Sequence, residues 1–226
     1  MRNKSPRKRH WWRWAAAGLV ALIVLAAGLV IKLTPAPPPL ALPSTRASAP
    51  AGPLDGTWDV AAGSVAGFRL AESAIGFSND VVGRTSDVTG TLVIAGGQVT
   101  RAALRIDLTS LWVNGKTEAQ LAASLGTHAH PAATFTLDRP VPLSPALATG
   151  RTATVRAAGQ LSLNGVTHLA AVTLAARRDG AALQTAGSIP ITLSAWRIQR
   201  PAALGFLGSL ASHGLAEFYL VLHRTG

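Results

Sequence analysis

Leu104-Arg105-Ile106-Asp107-Leu108-Thr109 is the stretch that decides the fold of this chain. Its apolar residues recur at every second position, with a charged or hydroxyl residue after each. A period of two belongs to a β-strand with one buried and one wet face; a helix would bring apolar residues back at three and four. The same rhythm spreads outward. Phe135 and Leu137 alternate with Thr134, Thr136 and Asp138, and Leu161 and Leu163 with Gln160, Ser162 and Asn164. Ile189, Ile191 and Leu193 alternate with Ser188, Pro190, Thr192 and Ser194, and Phe218, Leu220 and Leu222 with Tyr219, Val221 and His223. Gly96-Gly97, Asn164-Gly165 and Asp179-Gly180 punctuate the runs, where tight hairpin turns need positive φ.

This reading gives about eight or nine antiparallel strands from residue 54 onward. Two short helical candidates interrupt them: 116–125, with Leu121 and Leu125 four apart, and 202–210 after Pro201. With Ile75, Phe77, Trp112, Leu204 and Phe206, these leucines would cap a barrel mouth or fill its ends. Many strands and few helices argue for a sandwich or a barrel, and closure removes exposed edges. The expected fold is all-β: an antiparallel barrel of about eight strands with short capping helices, preceded by one N-terminal transmembrane helix.

The membrane helix is read from the other end of the chain. Residues 15–31 are an unbroken run of Ala, Gly, Leu, Val and Ile. As a helix the run spans about 26 Å, close to the hydrocarbon thickness of a bilayer. Trp11, Trp12 and Trp14 suit the headgroup zone on one side, and Lys32 can snorkel on the other. Arg2, Lys4, Arg7, Lys8, Arg9 and Arg13 precede the run with no acid among them, which predicts an inside N-terminus and an outside body. The alternative is a cleaved signal peptide. The run is long for that, and the small-residue site Ala47-Ser48-Ala49 is followed by Pro50, a poor residue at a cleavage point. Residues 34–53 carry seven prolines among Ala, Ser and Thr and read as a semi-rigid polyproline spacer. The expected organisation is a basic cytoplasmic tail at 1–14, an anchor at 15–33 in the cytoplasmic membrane, a spacer at 34–53 and an extracytoplasmic barrel at 54–226.

A net charge of +11 invites a nucleic-acid reading, but its distribution removes it. After Pro53 there are 13 basic residues against all 10 acidic ones, so the body carries only about +3 and no basic footprint. Without cysteine there is no disulfide, thiolate metal site or cysteine nucleophile. No Gly-x-Ser-x-Gly elbow and no glycine-rich phosphate loop is present. His128-x-His130 lacks nearby carboxylates and reads as a loop before Pro131, not a metal site. Glu72 reads as solvated or paired with a cation such as Arg69, and Arg197 and Arg200 as loop residues. The chain is therefore expected to have no catalytic residues, no metal and no cofactor, and not to be an enzyme.

The order of short motifs resembles the YceI-like family. Trp58-Asp59-Val60 and Gly63-Ser64-Val65-Ala66-Gly67-Phe68 look like its opening hairpin. Val82-Gly83-Arg84-Thr85 and Val88-Thr89-Gly90-Thr91-Leu92 look like its second motif, and Ile106-Asp107-Leu108-Thr109-Ser110-Leu111 is similar to its central strand. His130-Pro131-Ala132-Ala133-Thr134-Phe135, the hairpin from Gly159 to Thr167 and the terminal Glu217-Phe218-Tyr219-Leu220 complete the series. The chain departs from the family pattern at Asn164, where the turn usually has histidine, and at Asn114-Gly115-Lys116-Thr117-Glu118, where an Arg-Asp pair is usual. The resemblance implies a lipocalin-like barrel with an elongated apolar cavity that binds polyisoprenoids, quinones or similar amphiphiles.

A polyisoprenoid tail has almost nothing to hydrogen-bond, so its site would be a dry tunnel. Alternation selects the lining: Phe68, Leu70, Leu104, Ile106, Leu108, Phe135, Leu137, Leu161, Leu163, Ile189, Ile191, Phe218 and Leu220. Burying about fifteen carbons at about 0.8 kcal/mol each, less about 4 kcal/mol for association, leaves about 8 kcal/mol, or micromolar affinity. The expected partner is thus an apolar lipid, held at the outer face of the membrane for sequestration or short-range transfer. Two alternatives remain open: a filled barrel serving as a structural or protein-interaction module of the envelope, and an enzyme acting on a bound lipid.

Overall fold

The computed structural model describes residues 36–74, 77–113, 126–199 and 208–225. Among them are twelve strands: β1 Gly56–Val60, β2 Val65–Ala74, β3 Phe77–Thr85, β4 Val88–Ala95, β5 Gln98–Asp107, β6 Trp112–Val113, β7 Ala132–Leu137, β8 Val141–Pro142, β9 Ala153–Leu163, β10 Val166–Asp179, β11 Ala182–Thr192 and β12 Gly208–Arg224. Every pairing is antiparallel. The order β1-β4-β5-β7-β9-β10-β11-β12 closes on itself through β1 and β12, making a ring of eight strands. β2, β3 and β6 continue the sheet beyond β12, and β8 pairs with the start of β5.

The hairpin turns follow from local chemistry. Gly96-Gly97 and Asn164-Gly165 both take positive φ at both positions, the condition that matches a two-residue turn to strand twist. At the third turn Asp179 is still paired, with Ala182, and the loop is Gly180-Ala181. The lower end of the barrel carries the β4–β5 and β10–β11 turns; the upper end carries the β9–β10 turn and the start of β12.

Three expectations change on the structure. The segments 58–60 and 63–68, taken as an opening hairpin, do not pair with each other. β12 is long enough to pair first with β2 (Tyr219 to Val65) and then with β1 (Leu222 to Val60). Residues 61–64 step between the two, and Ser64 fills the gap this leaves: its hydroxyl accepts from the Val221 N–H at 3.0 Å and donates to the Ala61 carbonyl at 2.8 Å. The helical candidate at 202–210 ends instead in strand, because Gly208, Ser209 and Leu210 begin β12 and pair with β2; its earlier residues lie outside the described ones. Trp112, placed at a barrel mouth, is instead 59% exposed on β6, because its partner in the ladder is the outward-facing Arg84.

The helix expected at 116–125 and the membrane span at 15–33 lie outside the described residues. No helix among those described is long and apolar enough to cross a membrane.

Residues 36–53, where the sequence suggests a spacer, run along the outer wall of the barrel. The Arg69 guanidinium donates to the Pro37 carbonyl at 2.6 Å, Arg84 donates to that of Pro38, and Arg177 donates to those of Pro43 and Thr45 at 2.9 and 3.1 Å. Ser48 and Ala51 then pair with the β10–β11 turn through the Gly180 N–H and carbonyl, at 3.3 and 2.9 Å.

Candidate functional site

Inward-facing residues make two apolar clusters with a space between them. The lower cluster contains Trp58, Ile94, Leu147, Leu183 and Leu222. The upper contains Leu70, Leu111, Ile191, Leu193, Trp196 and Leu210. Ile106, Leu174 and Phe218 touch both and form a girdle. The space inside is a cavity of about 230 Å³. All thirteen residues selected by alternation border it: Phe68, Leu70, Leu104, Ile106, Leu108, Phe135, Leu137, Leu161, Leu163, Ile189, Ile191, Phe218 and Leu220. Thr185 and Glu217 are the polar side chains among the bordering residues, and the Glu217 carboxylate is turned to Arg69 and Arg84 on the outer wall.

Sequence reasoning left out nearly twice as many bordering residues as it selected, among them Val155, Ala157, Val172, Leu174, Ala176 and Leu183. The signal was there. Val172 and Leu174 alternate along β10, and Val155 and Ala157 along β9, but neighbouring alanines blur the contrast between faces. Small residues on the wall have a geometric cause. A Cβ at Gly159 would run into the Phe135 ring and the Thr136 carbonyl, so the ring lies across a bare backbone. The Phe68 ring covers Gly83 in the same way.

The lower end is sealed. Trp58 is fully buried, with its indole N–H donating to the Leu54 carbonyl at 2.9 Å. The Arg178 guanidinium stands 5.3 Å above the ring, a cation–π arrangement, and donates to the Ala51 carbonyl. Burial lowers the Arg178 pKa from the ordinary arginine value. Leu147, on the 3-10 turn Pro145–Thr149, is fully buried beside them. At the upper end the 3-10 turn Leu193–Trp196 packs inward. Asn164 donates from its amide to the Trp196 and Arg197 carbonyls at 3.1 and 3.2 Å. His168 donates from Nε2–H to the Ala195 carbonyl, 3.0 Å away, and meets Trp196 edge-on. The histidine pair 128/130 is exposed, with the His130 ring against Gly165. Arg69 pairs with Asp80 at 2.7 Å and Glu217 at 3.5 Å. No cluster of metal-binding side chains is found among the described residues.

An apolar void of this size is a liability unless used. At about 24 cal/mol per Å³ it costs on the order of 5 kcal/mol against a filled core, comparable with the whole stability of many domains. An engineered cavity of about 150 Å³ already takes up benzene, so this one has room for roughly nine or ten carbons.

Comparison with known proteins agrees with the geometry. The model of the YceI-like domain matches residues 58–212. A polyisoprenoid-binding domain from Saccharophagus degradans, implicated in plant cell wall breakdown, superposes with a TM-score of 0.57 at 20% identity, over 74% of this chain and 98% of that one. BcnA of Burkholderia cenocepacia superposes with a TM-score of 0.53 at 17% identity, over 68% and 95% of the two chains. No curated protein matches the sequence.

Proposed function

This chain belongs to the YceI-like family, and from that premise we propose that it binds the hydrocarbon of a long apolar lipid, a polyisoprenoid or similar amphiphile, inside the barrel. The observation that carries the reading is the empty, apolar space between the two core clusters. It favours this reading over the alternatives. A structural barrel would have its inner side chains meet, and an enzyme would need polar groups converging on the lipid, whereas the described wall encloses space and is apolar but for Thr185 and Glu217. The polyisoprenoid-binding domain of Saccharophagus degradans shares the fold, which supports the same ligand class.

The described wall offers dispersion and dehydration, with the Thr185 hydroxyl and the outward-turned Glu217 as its polar side chains, so the ligand enters by its tail. Its polar end stays at the upper rim, because the lower end is sealed by Trp58, Arg178 and Leu147. We place the barrel outside the cytoplasmic membrane, held there by residues 15–33, where it sequesters or hands on lipid over short distances. Solvent extraction or native mass spectrometry of the purified protein is expected to release a bound lipid. The variant Ala157→Phe puts a ring into the cavity beside the lower cluster, where a void already exists. It should weaken uptake of a fluorescent polyprenyl probe at least tenfold while leaving the thermal midpoint unchanged or higher. A barrel that binds no lipid in either form, or whose binding ignores the added ring, would sink the proposal.

A further inference from the structure

Outward positions of a barrel normally face water, yet Glu217 on β12 is 3% exposed and Arg177 on β10 is 7% exposed. What lies over them is the chain itself. From Pro37 to Ser48 an extended stretch crosses the outer wall from β2 and β3, over β12, to the lower end of β10. The grip has a chemical logic. Prolines have no N–H, so a proline-rich chain offers carbonyl acceptors with few donors, whereas guanidinium groups offer donors only. Arg69, Arg84 and Arg177 point at the carbonyls of Pro37, Pro38 and Pro43. Where the chain does have a donor, at Leu40, its N–H meets the Glu217 carboxylate at 3.4 Å, and the Ser48 N–H meets that of Asp179 at 2.7 Å. Glu217 also holds two of the arginines, at 3.0 and 3.5 Å, so the donors are fixed before the chain lies on them.

We infer that this arginine row is a built binding site for an extended proline-rich chain, occupied by the protein's own residues 37–48. The consequence is a short tether. As a free polyproline spacer, 34–53 would reach about 60 Å. Docked, it leaves the barrel against whatever precedes Ala36. Its effect on lipid exchange rests on the membrane reading proposed above; the docking does not.

The absence of cysteine makes the test direct. Spin labels are placed at Ala41→Cys on the strap and Thr136→Cys on the exposed face of β7, in the full chain in detergent. The docked strap gives one narrow distance distribution, and adding Arg69→Gln with Arg177→Gln broadens it while circular dichroism still reports the barrel. In the unaltered chain the Leu40 and Ser48 amides should exchange at least a hundredfold slower than in a free peptide. Broad distances in the unaltered chain, free exchange at those amides, or a narrow distribution indifferent to losing both arginines overturns the inference. Probe uptake measured on the same samples keeps the two proposals apart: a docked strap on a barrel that takes up no lipid refutes the function alone.

Discussion

Ser64 shows how much a single hydroxyl can carry. Where β12 changes partner from β2 to β1, its Val221 carbonyl still accepts from the Ala61 N–H at 2.8 Å, but its Val221 N–H would face a hole in the ladder, and the Ser64 hydroxyl accepts from it at 3.0 Å. Ser64→Ala therefore strands a buried donor, at about 1–3 kcal/mol. Urea titration should show that loss with an unchanged slope, and a loss below about 0.5 kcal/mol would mean that water replaces the hydroxyl. Tyr219, the chain's single tyrosine, is the second case. Burial raises its pKa; nearby Arg177 acts against this and Asp179 with it. Between the ordinary phenol value near 10 and the raised one, the folded state holds a proton that the unfolded chain has released. Stability is thus intact below about pH 10 and falls as pH rises beyond it. Following the phenolate band should place the folded midpoint above 10, and Tyr219→Phe should remove that part of the alkaline loss; a folded midpoint at or below 10 refutes it.

At the scale of elements, alternation was enough wherever a strand has one dry face. The runs at 104–108, 135–137, 161–163, 189–191 and 218–222 sit in β5, β7, β9, β11 and β12 with their apolar residues on the cavity, Leu108 just beyond its strand. It was not enough where partners are decided at a distance. Trp58-Asp59-Val60 and Val65-Ala66 read as two neighbouring strands, and so they are, but nothing local says that both pair with β12 and not with each other. The docking of 36–53 was not legible for a related reason. Composition says only that a proline-rich chain has no core of its own. Its docking depends on Arg69, Arg84, Arg177 and Glu217, which are spread over four strands and become a row only once the barrel closes. Each of those residues alone reads as an ordinary surface charge.

At the scale of the molecule, the arithmetic of the cavity limits what the protein holds. Roughly ten enclosed carbons contribute about 8 kcal/mol, and association removes about 4, which leaves about millimolar binding. That is too weak for a carrier. The sequence-level figure of about fifteen carbons gives micromolar binding, so the chain of a useful ligand has to continue from the girdle of Ile106, Leu174 and Phe218 past the upper cluster around Leu70, Ile191 and Leu210. The sealed lower end leaves it no other direction. Affinity should then climb steeply with tail length and level off once the tail emerges at the rim. A fifteen-carbon prenyl alcohol should bind at least tenfold tighter than the ten-carbon one, and still longer chains should add progressively less. Competition against a fluorescent polyprenyl probe would measure the series. Equal affinity for the two shorter alcohols would mean that the tail stops within the girdle, and the barrel would then suit a small apolar molecule in place of a long lipid.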